Sequence, residues 1–240
     1  MDNPSTADRK SLVVVTGASR GIGRAIAVAA ARRAGAGGDA DPPILRGGLT
    51  LVLVARSSLD GTARAVADAS PGAPVRVECH RADLSDLDGL PSALGPVFGR
   101  LAADANYGSC TLISNAGSVG PIGAVSSISG GGGDDDTPSS SAGMDALRSS
   151  IDLNVTSSVW ITSRFVSAFS GCDFVRVVNI SSLCAVDPFA TMSVYCAGKA
   201  ARDMYHRVLA RETDGGANNS EDDASETSRN RPNRAFKTLN

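Results

Sequence analysis

The stretch Leu12-Val13-Val14-Val15-Thr16-Gly17-Ala18-Ser19-Arg20-Gly21-Ile22-Gly23, followed by Arg24-Ala25-Ile26-Ala27-Val28-Ala29-Ala30-Ala31, decides the fold. Leu12 to Thr16 is short, apolar and rich in β-branched residues, which reads as a buried strand. Gly23 to Ala34 is alanine-rich and reads as a helix. Between them the turn Gly17-x-x-x-Gly21-x-Gly23 stands where a dinucleotide site requires its glycines. Glycines let backbone approach a pyrophosphate closely, and the helix N-terminus offers free N–H groups and a favourable dipole. The turn residues Gly17, Ser19, Arg20, Gly21, Ile22 and Gly23 are therefore the expected phosphate cradle. A turn that holds no nucleotide is the plain alternative.

Downstream the alternation repeats. Ala36 to Gly48 reads as a connecting loop, Leu49 to Ala55 as a second strand and Leu59 to Ala69 as a second helix. Val75 to Cys79 makes a third strand, with a helix from about Asp86 to Ala102. Cys110 to Ser114 is a fourth strand. Ser126 to Gly143, with Gly130 to Gly133 and Asp134 to Asp136, is a low-complexity surface loop. Met144 to Phe169 reads as one long helix, Phe174 to Ile180 as a fifth strand and Ser193 to Glu212 as a helix. Short apolar strands alternating with helices give an α/β fold: a single Rossmann-type, doubly wound parallel sheet with helices on both faces. Residues 1–10 are read as a disordered N-terminus, 11–212 as the nucleotide-binding domain and 213–240 as a disordered polar tail.

Composition narrows the function. The chain has 240 residues, a formal net charge of -2, 42% hydrophobic and 20% charged residues. Nothing in that balance points to nucleic acid or an anionic membrane as a partner. No apolar run reaches the roughly 18 residues needed to cross a bilayer, and the polar start has no secretory core. The five cysteines show no metal-ligand spacing, so no metal is expected. Reduced thiols fit a cytoplasmic protein.

A site for NAD usually offers an acid to the adenosine ribose at the end of the second strand. Here Ala55-Arg56-Ser57 stands at that place. Arg56 and Ser57, with Arg20 nearby, suit a 2′-phosphate instead, so NADP(H) is the expected cofactor. Asp83 is placed to accept from the adenine amino group with Leu84 packing beside it, and equally to cap the next helix. Asn115-Ala116-Gly117 closes the fourth strand where backbone must pass the adenosine ribose.

Chemistry concentrates in Tyr195-Cys196-Ala197-Gly198-Lys199. Residues four apart share a helix face, and an ammonium beside a phenol favours the phenolate. Such a phenol can give a proton to a carbonyl being reduced. Ser182, on the loop leaving the fifth strand, can hydrogen-bond the same oxygen. Asn154 is a poor helix former at an apolar position; holding a water that relays protons to Lys199 and bonding to backbone are equal alternatives.

Together, Thr16 to Gly23, Asn115 to Gly117, Asn154, Ser182, Tyr195 and Lys199 resemble the short-chain dehydrogenase/reductase family, over roughly Leu12 to Glu212. The resemblance implies an NADPH-dependent carbonyl reductase with Ser182, Tyr195 and Lys199 as its catalytic trio. Tyr195 and Lys199 would also meet the cofactor. The runs Asn179 to Ala185 and Tyr195 to Met204 are similar to a branch reducing pterin side-chain ketones in tetrahydrobiopterin synthesis, which implies Ser182, Leu183 and Tyr195 at the substrate. It also implies a homodimer through the helices at 144–169 and 193–212. A related reductase of another ketone and an inactive NADP-binding homologue stay open. The family pattern continues past the tyrosine helix with further strands, and none is read after Glu212. The sheet is thus expected to lack its last strands and leave the fifth at an open edge.

Overall fold

The computed structural model describes residues 9–36, 47–104, 106–128, 139–214 and 235–239. Most of the expected N-terminal and C-terminal disorder, and the glycine and aspartate run at 130–136, lie outside them. Six strands form one parallel sheet in the order β3-β2-β1-β4-β5-β6. They are β1 (Lys10–Thr16), β2 (Leu49–Ala55), β3 (Val75–Arg81), β4 (Tyr107–Ser114), β5 (Phe174–Asn179) and β6 (Ala235–Leu239). The helices are α1 (Gly21–Ala36), α2 (Asp60–Ala69), α3 (Leu90–Ala103), α4 (Ser139–Ile151), α5 (Ser157–Ala168) and α6 (Ser193–Asp214). The chain winds outward from β1 to β3, then returns to β4 on the other side of β1. That reversal opens a crevice at the carboxyl ends of β1 and β4.

The sheet is apolar on both faces, and its strands show why. Leu49, Leu51, Leu53 and Ala55 of β2 pack with Val15, Ala27, Ala31 and Val66 under α1 and α2. The alternate residues Val52 and Val54 join Leu12, Val14, Leu112 and Val177 on the opposite face, under α3 and α5. Successive strand side chains point to opposite faces, so continuous Val/Leu runs feed both layers. Alanines at Ala27 and Ala31, one helical turn apart, let α1 lie close to the sheet. The second layer is filled by aromatic rings: Phe165 and Phe169 are 4.8 Å apart, and Phe98 meets Phe165 edge-on at 6.2 Å.

Several expectations need correction. Arg9 and Lys10 belong to the fold: β1 starts at Lys10, and Arg9 pairs with Asp173 at 2.8 Å. The helix after β3 begins at Leu90, not near Asp86, because the Asp86 carboxylate accepts from Gly89 N–H and holds a turn there. Met144–Phe169 is not one helix. It starts at Ser139 and is interrupted by a π-turn at Asp152–Thr156 before α5. The polar tail contributes β6, paired in parallel register with β5 from Phe174↔Ala235 to Val178↔Leu239. An open β5 edge presents unpaired N–H and C=O groups, and β6 pairs with them. Among the described residues no helix is long and apolar enough to cross a membrane.

Phe165 is fully buried among the rings. Phe165→Ala is expected to cost about 3–5 kcal/mol, read as a lowered urea midpoint with unchanged slope.

Candidate active site

The crevice predicted by the strand order is a cleft of about 520 Å³ at the carboxyl ends of the central strands. Its walls include Gly17, Ser19, Arg20, Gly21 and Ile22 from the first turn, and Arg56, Ser57, Asp83 and Leu84 beyond β2 and β3. Asn115, Ala116 and Gly117 follow β4, and Tyr195 and Lys199 come from α6. The structure brings these residues together around one cleft. Gly23, Asn154, Ser182 and Leu183 are not among the lining residues, whereas Ser118, Leu153, Ile180 and Ser181 are.

Two strand ends are tied to make the floor. Thr16 Oγ1 donates to Ile113 O at 3.2 Å and accepts from the N–H groups of Asn115 and Ala116 at 2.9 and 3.0 Å. Asn115 Nδ2 returns a bond to Thr16 O at 2.8 Å. This clasp brings backbone so close that a side chain has no room. A Cβ on Gly17, where φ is +67°, would stand 2.8 Å from Asn115 Nδ2 and 2.9 Å from Ala116 Cα. A Cβ on Gly23 would collide with Gly17 O. Gly23 therefore serves the turn by packing, behind the cleft wall. The bare backbone, the helix N-terminus of α1 and the exposed Arg20 fit a dinucleotide phosphate.

At the adenosine end, Ser57 donates to Ser19 at 3.0 Å. Arg56, its side chain 77% exposed, pairs with Asp83 at 3.4 Å. Asp83 does not cap α3. Its Oδ1 accepts from the N–H and hydroxyl of Ser85 at 3.0 and 2.7 Å. Burial pushes the Asp83 carboxyl up, but the Ser85 bonds and Arg56 outweigh it and hold the group below its ordinary value.

At the other end, Lys199 Nζ lies 5.7 Å from the centre of the Tyr195 ring and donates to Ile180 O at 2.7 Å. Burial first, and the Arg202 charge second, push the Lys199 amine down to about 8. Ser181 and Ser182 divide their tasks. Ser181 Oγ donates to Asp203, while Ser182 Oγ accepts from Cys184 N–H at 3.2 Å and caps the short 3-10 turn Leu183–Ala185. That bond uses a lone pair, so the Ser182 proton remains free to donate. Leu183 is 60% exposed on the same turn.

Asn154 is fully buried in the π-turn. Its Oδ1 accepts from Ser118 N–H at 3.1 Å, and its Nδ2 donates to Ser118 O and Ser150 O at 2.9 Å each. The side chain bonds to backbone, the second of the two alternatives. It holds the loop after β4, including Gly117, against the lysine. Nothing in the sequence spacing signalled Ser118, or the buried Arg202 described below. Just before α6, the β-branched Thr191 sits at φ +68°, a strained geometry, and its carbonyl accepts from Gly123 N–H at 3.0 Å.

A profile described as short chain dehydrogenase matches residues 44–216. Sepiapterin reductase of Xenopus tropicalis is 36% identical over 208 residues, covering 84% of this chain and 68% of that protein. A benzil reductase ((S)-benzoin forming) of Bacillus subtilis is 27% identical, covering 84% and 67%. Among solved structures, a short-chain dehydrogenase from Sphingobium yanoikuyae in complex with NADPH is 30% identical with a TM-score of 0.61, covering 86% of this chain and 67% of that one.

Gly17→Ala imposes both an unfavourable φ and a clash with Ala116. Titration of nicotinamide fluorescence is expected to show NADPH binding weakened at least about tenfold, from roughly 1.4 kcal/mol of lost contact.

Proposed function

The chain belongs to the short-chain dehydrogenase family, and on that footing we propose that it is a carbonyl reductase of sepiapterin reductase type, reducing side-chain ketones of pterins in tetrahydrobiopterin synthesis. It is an oxidoreductase that uses NADP(H); the pterin ketone, a homodimer and a cytoplasmic setting are the finer steps of this reading. The observation that carries it is the Lys199 ammonium beside the Tyr195 ring, in one cleft with the glycine turn.

When bound, the reduced nicotinamide supplies a hydride. The residues that would hold the cofactor are the turn Gly17 to Gly23 at the pyrophosphate and Arg20, Arg56 and Ser57 at the 2′-phosphate. Asp83 and Leu84 would meet the adenine, and Asn115 to Gly117 the ribose. Lys199 has three N–H donors, of which one is given to Ile180 O, so others remain for ribose hydroxyls.

The chain's own residues then handle the proton. Tyr195 Oη gives its proton to the carbonyl oxygen, and the adjacent ammonium favours the negative charge that develops on the phenolic oxygen. Ser182 orients the carbonyl with its remaining hydroxyl proton. Asn154 contributes by fixing the Ser118 loop. The exposed Met144 on α4 and Met204 and Val208 on α6 support pairing of two copies through those helices. A reductase of a different ketone is the second reading, favoured by the similarity to benzil reductase.

Loss of nicotinamide absorbance with NADPH and sepiapterin tests the first reading, and turnover of benzil but not sepiapterin would select the second. Tyr195→Phe is expected to lower kcat by about 10²–10⁴ with NADPH affinity retained. Reduction should hold below pH 8 and decline as pH rises through about 8, because Lys199 is charged below that point and neutral above it. A rate that rises through this range would contradict the role given to the ammonium.

A further inference from the structure

Arg202 is the largest fully buried side chain among the described residues, with 0% exposure. On α6 it follows Tyr195 and Lys199 at seven and three residues, so the three share one helix face. Its guanidinium fork spans two strand ends. Nη1 donates to Ala116 O at 2.7 Å, and Nη2 to Ser114 O at 2.6 Å and Ser114 Oγ at 3.2 Å. Nε and Nη2 both donate to Asn179 Oδ1, at 3.2 and 3.0 Å.

All these acceptors are neutral. The neighbouring Asp203 carboxylate accepts instead from Asn179 Nδ2 at 2.7 Å and from Ser181 Oγ. It faces the strand end and lies near enough to favour the guanidinium charge without a direct bond among those above. A buried cation satisfied only by dipoles is costly, and its field reaches its neighbours at low dielectric. One neighbour is another cation: from the point that a Cβ on Gly117 would occupy, Arg202 Nη1 is 3.8 Å away and Lys199 Nζ 3.9 Å.

We propose that Arg202 is a positioning residue that acts through Lys199: its fork fixes the carbonyl-bearing strand ends against α6 and sets a second cation beside the lysine. The groups that bear on Lys199 are Arg202, Asp203 and Tyr195 on α6, the Cys184 thiol on the 3-10 turn, and the Ile180 carbonyl after β5. Arg202 and burial favour proton loss; Asp203 and Cys184 oppose it. The lysine beside the phenol thus becomes a group that can hand on a proton as well as a fixed charge. For its consequence in turnover this rests on the reduction reading, but its test does not.

The chain has three lysines, Lys10, Lys199 and Lys237, so lysine side-chain NMR can follow Lys199 alone, assigned through Lys199→Arg. The full chain is titrated without ketone. Arg202→Gln removes the cation, and Lys199 should hold its proton about tenfold more tightly, a rise of about one pKa unit. Asp203→Asn removes the opposing charge, and Lys199 should hold its proton more weakly, about threefold. Tighter binding in Arg202→Gln with weaker binding in Asp203→Asn supports the proposal, and the reverse pair, or no shift in Arg202→Gln, overturns it. Shifts of the same sign, or none in either variant, overturn it and leave Arg202 a structural clamp. Should Arg202→Gln fail to fold, Arg202→Met, uncharged and of similar length, decides: tighter proton binding at Lys199 supports the proposal, and unchanged or weaker binding overturns it. An enzyme inactive on every ketone can still show these shifts, so failure of the reductase reading is told apart from failure of this one.

Discussion

A parallel sheet stops with its last carbonyls facing the place where ligands bind, and those groups need partners that do not fill the space. Here Thr16, Asn115 and Arg202 supply them. Thr16 and Asn115 close β1 to β4 with short bonds around a glycine. Arg202 closes β4 to β5 from below, reaching the ends of both strands with one side chain. The bonds lie beneath the crevice, so its floor is firm and its upper surface stays bare. Lys199, bonded to Ile180 O at the end of β5, is set against this frame.

Much of this was legible in the sequence. β2 reads to its last residue because Leu49 to Ala55 is apolar but for Thr50 and stands between Gly48 and Arg56, and burial on both faces needs no alternation. Gly17, Gly21, Arg20 and Arg56 of the cleft stand out in the sequence because close backbone approach favours glycine and a phosphate favours arginine. Less legible were features whose cause is distant in the chain. Nothing in Ala-Ala-Arg-Asp-Met marks Arg202 as buried, since its acceptors come from residues 86 and 88 positions earlier. Ala235–Leu239 is too short to show a periodicity inside a polar stretch, and its pairing is dictated by the edge it meets.

The site residues divide by the direction of their bonds. Ser181, Asn154 and Asn179 spend their hydrogen bonds on backbone, on Asp203 or on Arg202, and so hold shape. Ser182, Tyr195 and Lys199 keep donors available. Adjacent serines with different partners explain why a motif that names the pair is not enough. One is fastened to α6; the other sits on the turn that follows β5.

The π-turn at Asp152–Thr156 has a consequence for what this segment can hold. Each residue of a helix advances the winding by about 100°, and a single π-type widening amounts to one extra residue. The five residues Asp152–Thr156 turn through about the angle that four turn in a regular helix, so the extra residue is taken up locally and the flanking stretches keep their phase. Asn154 can therefore hold Ser118 while Phe165, farther along, keeps its place among the rings.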